Sequence, residues 1–113
     1  VHSVCAVKRN IPLPLMQKIA AHGGVIGIGY WRDVTCDETP TGIVRSIRAA
    51  IDALGADHVS LGSDFDGTVA TALDTSELAA LTEEMLRQNF SEGEIRKVMG
   101  ANMLRVLQQT LAD

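Results

Sequence analysis

Long apolar runs, basic clusters and closely spaced cysteines are all absent from this 113-residue sequence. No apolar stretch approaches the roughly 18 residues that a membrane-spanning helix needs, and no signal-peptide pattern is visible. The ten Lys and Arg residues are scattered, which excludes the basic surface typical of nucleic-acid or anionic-membrane binding. Cys5 and Cys36 form neither a zinc-ligand pair nor a Cys-x-x-Cys motif, so they are either a disulfide or two separate thiols.

The composition is that of an ordinary folded protein. Apolar residues make up 46% of the chain and charged residues 21%, with a net charge of −4, which excludes a disordered tail or a fibrous repeat. A chain of 113 residues makes one small domain and no more. Since the first residue is Val1 and not a methionine, we expect the sequence to have been cut from a longer one.

The first third of the chain predicts a helix and a buried strand. Residues 12–24 hold an apolar-periodic stretch with prolines at its start and glycines at its end, which is typical of a short helix. Residues 25–30 are almost wholly apolar, and their lack of alternation predicts a strand buried on both faces. Gly27 and Gly29 leave little side chain on one face of that strand, so another group can approach closely there.

A second helix and a second strand complete the pattern. After a polar loop over residues 31–39, apolar side chains recur at helical spacing from Pro40 to Gly55. Residues 59–62 form the next strand. A strand, a helical crossover and a second strand predict a right-handed parallel βαβ unit.

The remainder of the chain is predicted to be helical. Residues 74–77 and 91–94 each read as a capping box that opens a helix, and Gly100 and Asn102 interrupt the second helix before a last helical stretch. No repeat or linker is visible, so residues 1–113 are one unit. Two parallel strands buried on both faces cannot cover themselves, so the pattern predicts the closing portion of a larger α/β protein.

Two carboxylates on alternate residues follow the second strand. Asp64 and Asp66 stand between that strand and Gly67, and ligands of α/β proteins bind at the carboxyl ends of strands. One interpretation is a plain turn in which an Asp caps the next residues. Another is the Asp-x-Asp-Gly-Thr motif of haloacid-dehalogenase-like phosphatases, with Asp64 as the phosphorylated nucleophile and Mg²⁺ alongside. That family needs further strands, whereas residues 69–113 are predicted to be helical.

A third interpretation uses more of the chain. Four segments, taken together and in order, resemble the membrane (renal-type) dipeptidase family of zinc peptidases; they are residues 4–12, 24–30, 62–67 and 100–106. Arg-Asn-Ile-Pro in the first segment and Gly-Ser-Asp-Phe-Asp-Gly in the third are the most specific parts. The resemblance spans essentially the whole sequence and implies the C-terminal portion of a (β/α)₈ TIM-type barrel, namely its last two strands and its terminal helices.

The resemblance implies roles for individual residues. Asp64 matches the aspartate that takes a proton from the metal-bridging water and passes it to the leaving amide nitrogen of a dipeptide. Arg9 matches the arginine that binds the C-terminal carboxylate of the substrate, which a planar guanidinium can hold bidentately. Gly67 would line the substrate pocket, and Asp66 is expected to shape the turn.

The zinc ligands that the resemblance implies have no match in this sequence. The family draws the ligands of its two Zn²⁺ ions from earlier strands, and His2, His22 and His58 correspond to none of them. We therefore expect no metal site in this chain and no activity of the chain alone. A non-catalytic fragment or interaction module is the remaining alternative.

The resemblance also bears on the cysteines and on partners. Cys5 and Cys36 lie where some family members carry a disulfide, which favours a bridge and, slightly, an extracytoplasmic location, periplasmic or secreted. A bridge over a loop of this length would stabilise the fold by roughly 3 to 4 kcal/mol on the chain-entropy model. The expected partner is a dipeptide substrate. No nucleic-acid or membrane association is visible, and a homodimer is left open.

Overall fold

The structure is a computed structural model, and it describes residues 5–6, 10–29, 36, 39–62 and 78–111. In chain order the helices and strands of this part are α1 (Leu13–Ala21), β1 (Ile26–Gly29), α2 (Pro40–Leu54), β2 (Val59–Gly62), α3 (Ala79–Arg87), α4 (Glu92–Arg96) and α5 (Asn102–Thr110). A short 3₁₀ turn at Ala56–His58 precedes β2, and a turn at Lys97–Ala101 that is kinked at Gly100 joins α4 to α5.

The two strands form a parallel pair with no offset between their ends. Ile26 pairs with Val59 at the amino ends, and Gly29 pairs with Gly62 at the carboxyl ends. Helix α2 lies between the strands in sequence and provides the crossover. The predicted strand–helix–strand unit and its parallel pairing are therefore confirmed.

The core lies between the strand pair and the helices. Helix α2 contributes its apolar stripe, in which Ile43, Val44, Ile47 and Ala50 are fully buried. These side chains pack with Ile28 and Val59 of the strands and with Leu81 and Met85 of α3. Burying a side chain of this size contributes roughly 1.5 to 3 kcal/mol, so the buried stripe of α2 contributes substantially to the stability of the unit.

The two faces of the strand pair are covered to different degrees: the helices pack the face of Ile28 and Val59, and on the opposite face Ser60 is 3% exposed whereas Gly27 is exposed. Side chains alternate along a strand, and Ile28 and Val59 point into the core while Gly27, one residue before Ile28, is exposed. The predicted burial on both faces is therefore wrong at Gly27 in the part of the chain that the structure describes. At β2 the prediction holds, because Val59 and Ser60, which point to opposite faces, are both buried.

Local sequence signals set the helix ends. Thr39 caps α2 by accepting a hydrogen bond from the Gly42 amide at 3.2 Å, and Gly55 follows α2 with a φ of 90° that favours glycine. The capping box at Ser91 and Glu94 makes both of its hydrogen bonds. The other predicted box, residues 74–77, and most of the predicted loop at 31–39 lie outside the described residues.

The predicted interruption at Gly100 is confirmed, because its φ of 172° and ψ of −30° are not helical and the backbone kinks there. The kink lies within the turn at Lys97–Ala101, and helix α5 begins after it at Asn102 and ends at Thr110. Asn102, the second residue expected to break the helix, is the first residue of α5 and only 3% exposed. Asn102 therefore begins the helix that follows the kink, and its side chain is buried.

Candidate active site

The carboxyl edge of the sheet is the place at which the candidate residues leave the strands. Gly29 and Gly62 end β1 and β2 side by side, and Asp64 is the second residue after Gly62 in the sequence. Asp64, Asp66 and Gly67 themselves lie outside the described residues. The structure therefore shows only where the segment that carries these three residues begins, which is the carboxyl end of β2.

The opposite, amino edge of the sheet is held by α5. The side-chain amide of Asn102 donates from Nδ2 to the carbonyl oxygens of Ala56 at 2.6 Å and Val59 at 2.8 Å. These two acceptors flank the 3₁₀ turn and the start of β2. A buried amide with two backbone acceptors fixes the strand relative to the helix, because leaving either carbonyl unpaired is costly.

An arginine one turn further along α5 connects both strands. Arg105 donates from Nη1 to the Gly23 carbonyl at 3.2 Å and from Nη2 to the Asp57 carbonyl at 3.0 Å. The ring Nδ1 of His58 lies 2.9 Å from the carbonyl oxygen of Gly24. The segments that enter β1 and β2 are thereby fastened to one another and to α5, so this edge has a structural role.

A disulfide anchors the chain next to Arg9. Cys5 and Cys36 are bonded, with their Cα atoms 5.5 Å apart, and Cys5 is 1% exposed. The side-chain amide of Asn10 donates to the carbonyl oxygen of Cys5 at 2.9 Å. Arg9 lies between these two residues in the sequence and is itself outside the described residues.

The described residues do not supply a metal site. Among them, no group of three or more His, Cys, Asp or Glu side chains could hold a metal ion. His22 turns Nδ1 towards the carbonyl oxygen of Lys18 at 2.8 Å, at the end of α1, and His58 contacts Gly24 as described above. His2 lies outside the described residues. A zinc centre would need donors from other parts of the protein.

Two grooves open on the described surface, and neither lies at the carboxyl edge. One, of about 280 Å³, is lined by α1 and the end of α2 and includes His58. The other, of about 390 Å³, lies between β2 and α5, and its lining includes Leu61, Val98 and Leu104. Apolar side chains dominate the second groove, which is a packing surface more than a site of chemistry.

No described helix is long and apolar enough to cross a membrane.

A charged cluster around Glu84 is also structural. The carboxylate of Glu84, 6% exposed, accepts hydrogen bonds from Gln88 at 2.9 Å, Thr41 at 3.1 Å and Arg87 at 2.9 Å. The bond from Gln88, followed by that from Thr41 and the charge of Arg87, holds the pKa of Glu84 below its ordinary value. The cluster joins α2 to α3 on the helical side of the sheet.

The contacts of Asn102, Arg105 and Ser60 were not predicted from the sequence, in which Asn102 was expected only to interrupt a helix. The position of Asn102 within an apolar-periodic helix could have indicated its contacts, because a polar side chain on a buried stripe needs a hydrogen-bond partner. The hydroxyl of Ser60 is buried with no hydrogen-bond partner in the described part of the chain.

Residues 1–112 match the family model described as Membrane dipeptidase (Peptidase family M19). Dipeptidase verJ of Clonostachys rogersoniana is 36% identical over 94% of this chain and 30% of its own length. Dipeptidase ataJ of Aspergillus terreus is 32% identical over 89% of this chain and 27% of its own length. The chain thus spans less than a third of the length of these two relatives.

Solved structures give the same result. A metallopeptidase from Rhodobacter sphaeroides, solved with a phosphinate mimic of the dipeptide L-Ala-D-Ala, superposes with a TM-score of 0.87 and 28% identity. The match covers 97% of this chain and 34% of that protein. A metallopeptidase described as dipeptidase AC superposes with a TM-score of 0.86 and 27% identity. The match to this family decides against the phosphatase interpretation of the Asp64 string.

Proposed function

Because this chain belongs to the membrane dipeptidase family, peptidase family M19, we propose that the protein containing it is a zinc-dependent dipeptidase. The observation that carries this proposal is the family match over residues 1–112. It is supported by the likeness to a metallopeptidase whose structure holds a dipeptide mimic. The substrate class is a dipeptide with a free C-terminal carboxylate.

We assign residues 1–113 to the last two strands and terminal helices of a (β/α)₈ barrel, as one partial domain. The parallel strand pair and the coverage of 34% of a solved relative support this assignment. In such a barrel the carboxyl ends of the strands carry the catalytic groups. The edge formed by Gly29 and Gly62 is then the catalytic side of this portion.

Asp64 is assigned the proton-transfer role. It follows β2 by two residues, at the edge where ligands of parallel sheets bind. As a carboxylate it accepts a proton from the attacking water and returns it to the amide nitrogen as the peptide bond breaks. Asp66 shapes the following turn, and Gly67 lines the substrate pocket.

Arg9 is assigned the binding of the substrate carboxylate. The disulfide at Cys5 and the hydrogen bond from Asn10 to Cys5 restrain the chain on both sides of this residue. Cys36 follows β1, whose carboxyl end adjoins that of β2, which supports a location of Arg9 near the same edge. The disulfide also supports an extracytoplasmic protein, because such bonds persist in oxidising compartments.

Zn²⁺, bound by residues outside the described part, would supply an activated water at neutral pH. The described residues offer no donor set of their own. The chain alone is therefore expected to be inactive, and each test below uses the whole protein.

Two substitutions test the assignment in the purified whole protein. Asp64→Asn should keep the bound zinc and lose about 10²-fold or more in kcat, the usual contribution of general acid–base catalysis. Asp52→Asn, at a side chain that is 67% exposed, is the matched control and should change neither. Full turnover by Asp64→Asn would show that the assigned role is wrong.

The Arg9 variant needs a different readout. Arg9→Ala should raise KM for a dipeptide and abolish the preference for a free dipeptide over the same dipeptide with an amidated C-terminus. No hydrolysis of any dipeptide by the metal-loaded wild type would favour a non-catalytic module.

A further inference from the structure

Helix α5 is held to the strands by polar side chains, and its apolar side chains are left at the surface. Asn102 and Arg105 bind backbone carbonyl groups at the amino ends of the strands, and Asn102 is the one buried residue of this helix. In the described part of the chain Met103 is 43% exposed, Leu107 44% and Leu104 56%. Side chains three and four positions apart share a helix face. We call the resulting row the apolar stripe; it consists of Met103, Leu104, Leu107 and Leu111.

The apolar stripe forms one wall of the groove beside β2. This groove of about 390 Å³ is lined by Met103, Leu104 and Leu107 of the stripe and by Ser60 and Leu61 of β2. No residue of β1 is part of the described lining, so the groove lies on the side of β2 away from β1. In the described sheet β2 pairs with β1 alone, and a strand edge of this kind accepts a further strand. An apolar groove and a strand edge open to pairing are therefore adjacent.

A second copy of the protein is the less suitable occupant of this surface. Helix α5 has nine residues, so it is about 14 Å long and about 10 Å wide. One face of such a helix is far smaller than the roughly 800 Å² per partner that a stable dimer buries. The helix face needs a partner that also extends along the edge of β2.

The rest of the same polypeptide can provide both a helix and a strand. The match to the metallopeptidase from Rhodobacter sphaeroides covers only 34% of that protein, so most of the protein containing this chain lies outside the 113 residues. A barrel closes by pairing its last strand with its first, and its helices form a ring around the strands. With β2 as the last strand, the first strand meets the open edge of β2, and the helix of the same unit lies beside α5.

We infer that the apolar stripe and the adjoining groove are the docking surface for the N-terminal strand-and-helix unit of the same polypeptide; this inference rests on the barrel assignment made with the proposed function. Helix α5 then has two tasks on two sides. Asn102 and Arg105 hold the amino ends of β1 and β2, and the apolar stripe joins these strands to the other end of the barrel.

Photo-cross-linking in the whole protein tests which part of the protein covers the stripe. With p-benzoylphenylalanine in place of Leu107, illumination should produce a cross-link to the N-terminal strand-and-helix unit, located by peptide mass spectrometry, in a product the size of one polypeptide. Gln108 is the matched control position, because it is exposed and lies about 100° around the same helix from Leu107. The same substitution there should give no cross-link to that unit.

Thermal unfolding of the whole protein gives a second readout. Leu107→Ala should lower the unfolding temperature by about 3 °C or more, because a leucine covered by the rest of the barrel would leave a cavity. In the described part alone Leu107 is 44% exposed, and alanine favours a helix more than leucine does. The same change would therefore cost little if nothing further covered this side chain. Gln108→Ala should leave the unfolding temperature unchanged.

Three results would overturn the inference. A cross-link from position 107 that joins two polypeptides would show that a second copy covers the stripe, and one confined to residues 1–113 would show that this chain covers it. Equal behaviour of positions 107 and 108 in the two experiments would show that the stripe is not a docking surface. Dipeptide hydrolysis by the wild type would uphold the proposed function in all three cases. If the protein with p-benzoylphenylalanine in place of Leu107 does not fold, the same residue in place of Met103 decides between these outcomes.

Discussion

Nδ2 of Asn102 lies 2.8 Å from the carbonyl oxygen of Val59, the first residue of β2. The same nitrogen lies 2.6 Å from the carbonyl oxygen of Ala56. One buried amide thus joins the final helix to the amino end of the strand whose carboxyl end precedes Asp64. The position of that strand depends on a contact between residues 43 positions apart.

Replacing Asn102 should destabilise the protein through these two carbonyl groups. Asn102→Ala leaves both without a donor, which costs about 1 to 3 kcal/mol. Asn102→Asp has nearly the same shape, but its carboxylate faces the two oxygens, so the loss at neutral pH should be larger than with alanine. Urea unfolding of the whole protein measures both losses.

Gln108→Ala, at an exposed position of α5, serves as the control for changes in helix propensity. The Asn102→Asp loss should shrink at low pH, because a protonated carboxyl can donate one hydrogen bond. A loss from Asn102→Ala no greater than that of the control would contradict the anchoring role.

The secondary structure was predictable because its signals are local. Residues 59–62 were predicted as a strand and form β2, and residues 25–30 contain the observed β1. Helix α2 begins at Pro40 and ends before Gly55, since proline and glycine impose their own backbone limits. At these positions the period of the apolar residues and the residues typical of turns were sufficient to predict the secondary structure.

The tertiary contacts were not predictable in the same way. Arg105 reaches the carbonyl of Gly23, 82 positions away, and no spacing rule connects two such residues. Glu84 looks like a surface residue of an amphipathic helix, yet it is buried by partners from α2. For the candidate site, the strand end drew attention to Asp64, whereas Arg9 was found only through family resemblance, because a lone arginine before a helix has no distinctive pattern.

The disulfide should affect both stability and substrate binding. Cys5→Ser with Cys36→Ser removes a bond across a sequence separation of 31, and the free energy of unfolding should fall by about 3 to 4 kcal/mol on the chain-entropy model. The segment between Cys5 and Asn10 would also lose one anchor, so KM for dipeptides should rise more than kcat falls.

A thiol reductant provides the matched control for this prediction. It should reproduce both effects in the wild type and have no effect on the double variant. The assigned role of the bond would be contradicted if reduction of the wild type to two free thiols changed neither the urea midpoint nor KM.

The pH dependence of stability should trace in part to Glu84. Hydrogen bonds from Gln88 and Thr41, with the charge of Arg87, lower the pKa of Glu84 in the folded protein. Hydrogen bonds from Arg48 and from the Ser91 backbone likewise lower the pKa of Glu94. A carboxyl whose folded pKa lies below its unfolded pKa stabilises the fold above the unfolded value, and this contribution is lost as the pH falls through the folded value. The free energy of unfolding should therefore decrease as the pH falls below the ordinary glutamate value of 4.5.

Glu84→Gln measures how much of the pH dependence of stability comes from this one carboxylate. The variant should be less stable than the wild type at neutral pH, because Thr41, Arg87 and Gln88 lose a charged acceptor. Its stability should also change less between neutral and acidic pH, with Glu94 accounting for part of the remaining change. Glu83→Gln, at a side chain that is 74% exposed, removes a neighbouring carboxylate without touching Thr41 or Gln88 and is the control. Urea midpoints measured at pH 7 and at about pH 4 give the comparison. If the midpoint changes between these two pH values by the same amount in Glu84→Gln and in the wild type, Glu84 is not a source of the acid sensitivity.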